Sequence, residues 1–349
     1  MKRALFYLIA LISLFLLSGC KLWDAINGDG KSNGLPNVNI SGGIHQTGQS
    51  HSYDANGTRM IQGEIHDDGY YRSGTPPRYK RHDNTVTDAL SHLIWEDTPH
   101  VNTVSMKQAE AYDYCDGLSL GGYTDWRLPT LNELESLMLF DDDNTTIQHP
   151  AFSFVRSDMF WTGTMVFLSN PFGVFIENTG GDIHSENALH PHGPAYVRCV
   201  RGSSISGDTF YRENGMVINA QQSINWQDDQ EPTKETNWTE AIQYCESLTL
   251  AGFDDWRLPN INELLYGYNG AWSHYKFSYK SKGEPLYYWS STTSLCQCDT
   301  TERTITSGSA AYVFLPTSEV ESSIGIQPKN NAQDTIIRCI RGGDLHLGD

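Results

Sequence analysis

The amino-acid sequence repeats itself, and this repeat constrains the fold more than any other feature. The segment Ala111–Leu134 is matched by Ala241–Leu264, which lies 130 residues further along the chain. The shared landmarks are a cysteine, a tryptophan and a glutamate in the same order: Cys115 and Cys245, Trp126 and Trp256, and Glu133 and Glu263. Further matched blocks flank this segment on both sides. Their constant order indicates a tandem duplication.

The duplication predicts two domains of one fold, repeat one at residues 80–204 and repeat two at residues 205–349. Helical spacing of apolar residues predicts a first helix over residues 107–118. The capping-box patterns Ser105–Gln108 and Asn237–Glu240 are expected to begin this helix in the two copies. Short aromatic and β-branched runs, separated by Gly, Asn and Pro, predict strands in the remainder. The expected fold class is therefore α+β, with two helices and small antiparallel sheets in each domain.

A second helix is predicted directly after the Trp-Arg-Leu-Pro motif of each copy. Thr130 with Glu133, and Asn260 with Glu263, supply its capping box. We interpret the motif as structural: its Trp and Leu fill the core, and its Arg binds loop carbonyls or pairs with the capping glutamate. Arginines also flank the last cysteine of each copy, and we expect these to be solvated charges: Arg198 and Arg201, and Arg338 and Arg341.

The N-terminus has the pattern of a bacterial lipoprotein signal. A basic start at Met1–Arg3 precedes an apolar run at Ala4–Leu17, and Ser18 and Gly19 then lead to Cys20. This run is shorter than the about 20 residues of a membrane-spanning helix. We therefore predict that residues 1–19 are removed and that Cys20 carries the lipid that binds the membrane.

The residue after the lipidated cysteine and the overall charge limit location and partners. Lys21, rather than Asp, favours the outer membrane, on either its periplasmic face or the cell surface. The net charge of −18 argues against nucleic acid as a partner, because phosphates would repel the chain. Residues 20–79 are rich in Gly, Asn, Ser and Asp, which predicts a flexible spacer in which Met60–Ile65 is a candidate strand.

The motifs Gly-Tyr-Thr-Asp-Trp-Arg-Leu-Pro-Thr, Asn-Glu-Leu and Arg-Cys-Val-Arg-Gly together resemble the Lcl C-terminal domain family, which is named after a collagen-like bacterial adhesin. The resemblance covers residues 82–203 and 208–343. It implies two tandem C-type-lectin-like domains, and it implies adhesion or ligand binding at the cell surface.

Six cysteines follow the lipidated one, an even number that suits disulfides in an oxidising compartment. As in lectin-like domains, each copy is expected to join its first helix to its last strand by one disulfide: Cys115 with Cys199, and Cys245 with Cys339. Cys296 and Cys298 have no counterpart in repeat one. A local disulfide, a redox or copper site and reduced thiols all stay open for this pair.

Two clusters in repeat one contain residue types that bind metals. The first combines carboxylates with an amide, which are oxygen ligands suited to Ca²⁺: Asp141, Asp142, Asp143 and Asn144. A solvated acidic turn is the alternative, because the run lacks EF-hand spacing. The second cluster could bind Zn²⁺ or Ni²⁺ and consists of His184, Glu186, His190 and His192. Ca²⁺ is thus the candidate cofactor.

No catalytic motif is present in the sequence, so we expect a binding protein and not an enzyme. The leading hypothesis is an anchored adhesion module for a glycan, a polymer or an envelope protein. One alternative is a redox enzyme of the formylglycine-generating type, which would require Cys296 or Cys298. The other alternative is a structural envelope protein. Ligand contacts are expected in the divergent residues 165–195 and 293–333, with different ligands for the two copies.

Overall fold

A computed structural model provides the structure of the chain. The description below covers residues 43–61, 63–140, 149–155, 158–166, 170–176, 183–187, 194–203, 210–230, 233–234, 236–267, 277, 287–294, 299–300, 303–304, 310–316, 322–332 and 335–345. Among these residues, no helix is both long enough and apolar enough to span a membrane.

The described chain begins with a segment that packs against both repeats, residues 43–75, which we call the clasp. It contains one short helix, α1 (Asp68–Tyr71), whose N-cap Asp67 accepts a hydrogen bond from the backbone of Tyr70. Several polar side chains of the clasp are buried: His45, Thr47, Gln49, Ser52, Asp67, Asp68 and Ser73.

The prediction of a flexible spacer is therefore wrong for residues 43–79. The polar residues of this segment bind buried partners from distant parts of the chain. The composition of the segment does not contain information about those partners. The described residues of Met60–Ile65 form no strand, so that prediction is also wrong. Residues 20–42 of the predicted spacer, including Cys20, lie outside the described residues.

Repeat one contains seven strands and three helices among its described residues: β1 (Tyr79–His82), β2 (Thr85–Asp88), β3 (Ile94–Glu96), α2 (His100–Thr103), α3 (Gln108–Asp116), α4 (Leu131–Glu135), β4 (Asp158–Val166), β5 (Asn170–Ile176), β6 (Ile183–Asn187) and β7 (Val200–Arg201). The described residues of repeat two form the following elements: β8 (Phe210–Glu213), β9 (Met216–Asn219), β10 (Ile224–Gln227), β11 (Thr233–Lys234), α5 (Trp238–Glu246), α6 (Ile261–Gly267), β12 (Tyr287–Ser294), β13 (Asp299–Thr300), β14 (Arg303–Thr304), β15 (Ala310–Pro316), β16 (Ser322–Pro328), β17 (Thr335–Ile337) and β18 (Ile340–Gly342).

The starts of α3 and α5 follow the 130-residue register. Asn237 caps α5 as predicted, because its side chain accepts a hydrogen bond of 3.0 Å from the backbone of Glu240. In repeat one, Glu110 accepts a hydrogen bond of 2.8 Å from the backbone N–H of Lys107. The helix therefore begins at Gln108, two residues later than a cap at Ser105 would place it. The predicted cap at Ser105 is wrong.

The predicted capping boxes of α4 and α6 are confirmed. The Thr130 hydroxyl accepts from the backbone of Glu133 at 3.3 Å, and the Glu133 carboxylate accepts from the backbone of Thr130 at 2.7 Å. Asn260 and Glu263 make the same reciprocal pair, at 2.9 Å in both directions. Two otherwise unsatisfied backbone N–H groups are thereby bound at each helix start.

Each repeat contributes one small four-stranded antiparallel sheet, in the orders β1-β2-β3-β7 and β8-β9-β10-β18. Equivalent strands therefore occupy equivalent positions. The described residues also form one larger sheet, in the order β11-β17-β12-β15-β16-β6-β5-β4, which is antiparallel except at the β12–β17 pair. A separate two-stranded ribbon consists of β13 and β14.

The larger sheet runs through both repeats. Strand β6 of repeat one pairs antiparallel with β16 of repeat two, through Ile183–Ser185 and Ser322–Ile324. The neighbouring strands then follow in opposite order on the two sides, β5 and β4 against β15 and β12. The two copies are thus related locally by an approximate twofold rotation at this strand pair.

The hydrophobic core is also shared. One cluster of buried residues includes Leu131 and Leu134 of α4 together with Ile261 and Leu264 of α6. Smaller clusters lie within single repeats, around the disulfides. Because burial of apolar area is the main stabilising term of folding, this common cluster couples the stability of the two copies. Residues 40–349 accordingly form one compact unit.

Both predicted disulfides are confirmed. Cys115 of α3 is bonded to Cys199, and Cys245 of α5 is bonded to Cys339, with Cα–Cα distances of 5.6 and 5.5 Å. The bridges close sequence separations of 84 and 94 residues. Each bridge therefore ties the first long helix of a repeat to the residues just before its last strand.

Candidate functional site

The Trp-Arg-Leu-Pro motif is part of the scaffold, as predicted. Trp126 and Leu128 are buried in repeat one, and Trp256 and Leu258 are buried in repeat two. The arginine of the motif forms a two-pronged ion pair with the capping glutamate of the next helix. In repeat one, the Arg127 nitrogens lie 2.8 and 2.7 Å from the Glu133 oxygens. Because the side chains of the motif pack in the core or form an ion pair, the motif does not provide an exposed binding site.

In repeat two the same ion pair lies beneath the clasp. Arg257 donates to both oxygens of Glu263, at 2.8 and 2.6 Å. The hydroxyl of Ser73 lies against the pair: it donates to Glu263 at 2.6 Å and accepts from Arg257 at 2.8 Å. The Asn260 amide donates to the Ser73 carbonyl at 3.1 Å. One serine of the clasp therefore completes the hydrogen bonding of a buried ion pair, which a buried charge pair requires.

Two neighbouring carboxyl groups of the clasp are buried against repeat two. Oδ2 of Asp68 accepts from the hydroxyls of Thr47 and Thr292, at 2.6 and 2.7 Å. Its Oδ1 is buried and receives no hydrogen bond from the described residues. Burial raises the pKa of Asp68 to about 7, and burial likewise raises the pKa of Asp67 to about 6. Both groups therefore titrate near neutral pH.

A lysine of repeat two completes this buried polar region. Lys329 donates to the carbonyls of Tyr53 and Asp54, at 3.2 and 3.0 Å, and to the Thr293 hydroxyl at 2.9 Å. Its ammonium group lies 3.6 Å from the ring centre of Trp238. Burial lowers the pKa of Lys329 to about 7. These groups bind one another and hold the clasp in place, so the arrangement is a structural joint.

The arginines near the last cysteine divide into two kinds. Arg198 and Arg338 are buried, so the expectation of solvated charge is wrong for them. Arg198 donates to the Glu96 carbonyl at 2.7 Å, and Arg338 donates to the Gln227 carbonyl at 2.6 Å. Arg201 and Arg341 follow three residues later in the two repeats and lie partly exposed at the surface. The sequence analysis did not predict the contacts that these two arginines make.

Arg201 belongs to an exposed cluster at the surface of repeat one. It donates to both oxygens of Asp125, at 2.7 and 3.0 Å, and its guanidinium carbon lies 3.7 Å from the ring centre of Tyr123. This hydrogen bonding holds the pKa of the Asp125 carboxyl below its ordinary value. The Tyr123 side chain is 41% exposed. We call Tyr123, Asp125 and Arg201 the repeat-one platform.

Repeat two carries the same arrangement. Arg341 donates to Asp255 at 2.6 and 3.0 Å, and its guanidinium carbon lies 3.6 Å from the ring centre of Phe253. Phe253 is 37% exposed. We call Phe253, Asp255 and Arg341 the repeat-two platform.

A tight turn presents the aromatic ring of each platform. Leu120 and Tyr123 exchange two backbone hydrogen bonds, and Leu250 and Phe253 do the same. The two residues between them have positive φ angles, 61° and 82° in repeat one and 55° and 83° in repeat two. Such angles match the type I′ turn of a β-hairpin. The ring, the carboxylate and the guanidinium are thus held on a rigid hairpin.

Each platform combines an aromatic face with fixed charged groups at the surface. The stack of guanidinium on ring contributes about 0.5–1 kcal/mol at an exposed position. A partly exposed ring can contact apolar faces of a ligand, while a carboxylate and a guanidinium can bind hydroxyl groups. The sequence did contain a signal for these sites, because both copies have an aromatic residue two positions before the Asp of Asp-Trp-Arg-Leu-Pro.

The described structure does not test the residues that were predicted from sequence as metal ligands. Asp141–Asn144 lie outside the described residues, as do Cys296, Cys298, His190 and His192. His184 and Glu186 belong to β6, where only the backbone is described. Among the described residues, no group of three or more His, Cys, Asp or Glu side chains could hold a metal ion.

A shallow depression lies between the clasp and repeat one. His45, Pro77, Tyr79, Leu137 and His149 contribute to its lining, and it has no room for a water molecule. It therefore cannot admit a small-molecule ligand in this conformation. The platforms are the better candidates for contact with a partner.

The family relationship agrees with the repeated geometry. The sequence model of the Lcl C-terminal domain family matches residues 84–201 and residues 215–341. Neither a curated protein nor a solved structure matches the chain. The two matched ranges fall within the two repeats and together cover more than half of the sequence. The chain therefore belongs to the Lcl C-terminal domain family, of which it contains two copies in tandem.

Proposed function

We propose that this protein is a lipid-anchored binding protein of the bacterial envelope, whose two platforms contact an extended carbohydrate polymer. The observation that carries the proposal is the duplication of an exposed aromatic–arginine–aspartate arrangement on rigid hairpins. Two copies of one contact surface suit a ligand that itself repeats. Two weak contacts to one polymer also add up to much tighter binding than either alone.

The chemistry of the platforms favours a carbohydrate among the candidate ligands. A sugar ring offers both an apolar face and hydroxyl groups. Tyr123 and Phe253 present the complementary ring faces. The neighbouring carboxylate and guanidinium supply an acceptor and donors at fixed positions. An acidic polymer is disfavoured, because the chain has a net charge of −18.

The C-type-lectin-like fold and the role in adhesion, which the family resemblance implies, are also part of this proposal. A C-type-lectin-like fold would account for two helices per repeat packed on antiparallel strands, with a disulfide from the first long helix to the end of the repeat. The family is named after a collagen-like adhesin, which favours adhesion over catalysis. Ca²⁺ stays a candidate cofactor, with Asp141–Asn144 as its candidate ligands.

The anchor is proposed from the N-terminal sequence. Removal of residues 1–19 would leave Cys20 as the lipidated residue, and Lys21 favours the outer membrane. Cys20→Ser should release the protein from the membrane fraction and abolish fatty-acid labelling. Labelling that is unchanged in the variant would refute the anchor.

A glycan array with the intact chain tests the binding proposal. The wild type should bind carbohydrate spots, and the double variant Tyr123→Ala/Phe253→Ala should lose that binding. A matched control is Tyr112→Ala/Tyr211→Ala, because these tyrosines are 40% and 44% exposed but belong to neither platform. The control should bind as the wild type does. Parallel arrays with and without Ca²⁺ test the cofactor.

Two further experiments, together with the array, discriminate the rival functions. Copurification with one stoichiometric envelope protein, together with an empty array, would favour a structural role. A copper- and oxygen-dependent activity that requires Cys296 or Cys298 would favour an enzyme of the formylglycine-generating type. Either result would replace carbohydrate binding as the account of this protein.

A further inference from the structure

The two platforms share their ion pair and their aromatic stack, but they differ at one nitrogen of the arginine. In both platforms, Nε and Nη2 of the arginine donate to the two oxygens of the aspartate, at 2.7 and 3.0 Å in repeat one and at 2.6 and 3.0 Å in repeat two. These bonds occupy one edge of the guanidinium group. The remaining nitrogen, Nη1, carries two further N–H donors.

In repeat two, a side chain of the neighbouring strand binds this nitrogen. Asn225 of β10 lies opposite Arg341 of β18. When the amide of Asn225 is oriented so that both of its groups have partners, its oxygen accepts from Nη1 of Arg341 at 2.8 Å, and its nitrogen donates to the Ile224 carbonyl at 3.1 Å. All three guanidinium nitrogens of the repeat-two platform therefore bind acceptors within the chain.

In repeat one, an apolar residue occupies the equivalent position. Ile94 of β3 lies opposite Arg201 of β7 and, like Asn225, directly precedes the tryptophan of its strand. An isoleucine side chain has no acceptor to offer. The described residues supply no acceptor for Nη1 of Arg201, and this nitrogen is not buried. The repeat-one platform therefore presents free donors to solvent, on a side chain that is 20% exposed.

The other two members of the repeat-one platform are also accessible. The side chain of Asp125 is 62% exposed, so its oxygens can accept further hydrogen bonds. The Tyr123 side chain is 41% exposed. Tyr123 also carries a hydroxyl group that the equivalent Phe253 lacks. An aromatic ring, an acceptor and free donors thus lie side by side in repeat one.

We propose that the repeat-one platform selects an N-acetylated amino sugar, whereas the repeat-two platform binds a sugar ring whether or not it carries an acetamido group. This inference rests on the proposed carbohydrate binding and names a sugar that the polymer contains. The acetamido group matches the platform at three points. Its carbonyl oxygen accepts from Nη1 of Arg201, its N–H group donates to Asp125, and its methyl group packs on the ring of Tyr123.

Other substituents of a sugar match the repeat-one platform less well. A carboxylate or a sulfate would be repelled by the exposed carboxylate of Asp125 and by the net charge of −18. A hydroxyl group can donate to the aspartate of either platform, so it does not distinguish the repeats. A neutral group with a strong acceptor does distinguish them, because only Arg201 has Nη1 free. Ile94 and Asn225 are thus the specificity-determining positions.

Two tetrasaccharides serve as probes. They are the tetramer of N-acetylglucosamine derived from chitin and the tetramer of glucose derived from cellulose, which differ only in the acetamido or hydroxyl group on each ring. Saturation-transfer NMR with the intact chain in detergent measures a Kd for each probe. The variant Phe253→Ala reports the repeat-one platform, and Tyr123→Ala reports the repeat-two platform.

The two single variants should differ in their preference between the probes. Phe253→Ala should bind the acetylated tetramer about tenfold more tightly than the glucose tetramer, because one hydrogen bond to a charged group is gained. The acetamido methyl protons should receive strong saturation in this variant. Tyr123→Ala should show little preference, because Nη1 of Arg341 is already bound.

Substitutions at the two specificity-determining positions assign the preference to Nη1. Ile94→Asn, added to Phe253→Ala, supplies an acceptor to Arg201 and should abolish the preference. Asn225→Ile, added to Tyr123→Ala, frees Nη1 of Arg341 and should create a preference. The readout is the ratio of the two Kd values, which a merely destabilised platform would not change, since it would weaken both probes alike. Because Asn225→Ile gains a preference, it decides the question even if Ile94→Asn fails to fold.

A control and three outcomes complete the test. Lys80→Ala, added to Phe253→Ala, removes an exposed charge outside the platform and should keep the preference. Equal affinity of Phe253→Ala for both probes, or a preference that Ile94→Asn leaves intact, would overturn the inference and leave carbohydrate binding standing. Binding of other glycans on the array, but of neither tetramer, would do the same. Unchanged binding by Tyr123→Ala/Phe253→Ala would instead refute both proposals, because the platforms would then not be the site.

Discussion

The hydroxyl of Ser73 donates a hydrogen bond of 2.6 Å to Glu263, from which it is separated by 190 residues of sequence. Ser73 also accepts from Arg257, so the clasp and repeat two share one buried hydrogen-bonding group. In repeat one the glutamate of the pair is equally buried, but Arg127 is 31% exposed, against 2% for Arg257. The two repeats therefore contain the same ion pair in two different environments.

This contrast predicts unequal costs for the same substitution. Arg257→Ala leaves the buried Glu263 carboxylate without its cation and should lower the free energy of unfolding by about 3–5 kcal/mol. Arg127→Ala also leaves a buried carboxylate, that of Glu133, but the arginine that it removes is 31% exposed. Water can therefore reach the gap, and the loss should be smaller, about 2–3 kcal/mol. Urea denaturation of the two variants checks this. Equal losses would contradict the role that we assign to the clasp.

The buried carboxyls of the clasp predict a dependence of stability on pH. Burial raises the pKa of Asp68 to about 7, so the folded chain holds this proton more tightly than the unfolded chain does. Its stabilising contribution is complete below about pH 4 and is lost as the pH rises through 7. Asp67, with a pKa raised to about 6, acts in the same direction.

Lys329 acts in the opposite direction, because its pKa is lowered to about 7 and its contribution is lost as the pH falls through that value. We expect Asp68→Asn to reduce the fall in melting temperature between pH 5 and pH 8. Between these two pH values, titration of Asp68 should change the free energy of unfolding of the wild type by on the order of 2–4 kcal/mol. Asp125→Asn is the control: the pKa of this carboxyl is lowered, so it titrates below the window. If the melting temperature of Asp68→Asn depends on pH as steeply as that of the wild type, this prediction is wrong.

The disulfides should matter equally in the two repeats. Loops of 84 and 94 residues predict a loss of about 4–5 kcal/mol on removal of either bridge, before any strain is considered. Cys115→Ser/Cys199→Ser and Cys245→Ser/Cys339→Ser should therefore lower the melting temperature to a similar extent. Because the core is shared, each variant should still unfold in one transition, which calorimetry would show. Two separate transitions would contradict the common core.

The repeats also provided the most reliable predictions from sequence. The register of 130 residues placed the capping boxes of α4 and α6 correctly. The start of α3 agrees with the register from Asn237, whereas the local pattern at Ser105 gave the wrong cap. These features depend on short-range spacing, and each copy is an independent observation of the same fold.

The clasp and the joined sheet could not be predicted in the same way. The buried hydrogen bonds of Asp68 and Ser73 depend on partners in repeat two. The composition of residues 43–75 alone is that of a solvated segment. The pairing of β6 with β16 depends on how the two copies pack against each other. The register of the repeat contains no information about that packing. Arg198 was misjudged because its binding carbonyl, at Glu96, is far away in sequence.

The turn of each platform predicts a matched pair of substitutions. Ala251 has a φ of 55°, where a side chain is strained, whereas the equivalent residue in repeat one is Gly121. Ala251→Gly should stabilise the chain by about 1 kcal/mol, and Gly121→Ala should destabilise it by a similar amount. Chemical denaturation measures both. Destabilisation by Ala251→Gly would refute the turn geometry.

The central claim is that the platforms bind carbohydrate, and calorimetric titration of the intact chain with the best array ligand tests it most directly. We expect Tyr123→Ala and Phe253→Ala each to weaken binding of the polymer by at least about fivefold, because only one platform is left to contact it. The double variant should give no detectable binding heat. Each stack should contribute on the order of 1 kcal/mol or more to the affinity. If the double variant keeps its melting temperature and binds the ligand with wild-type affinity and stoichiometry, the platforms are not the site.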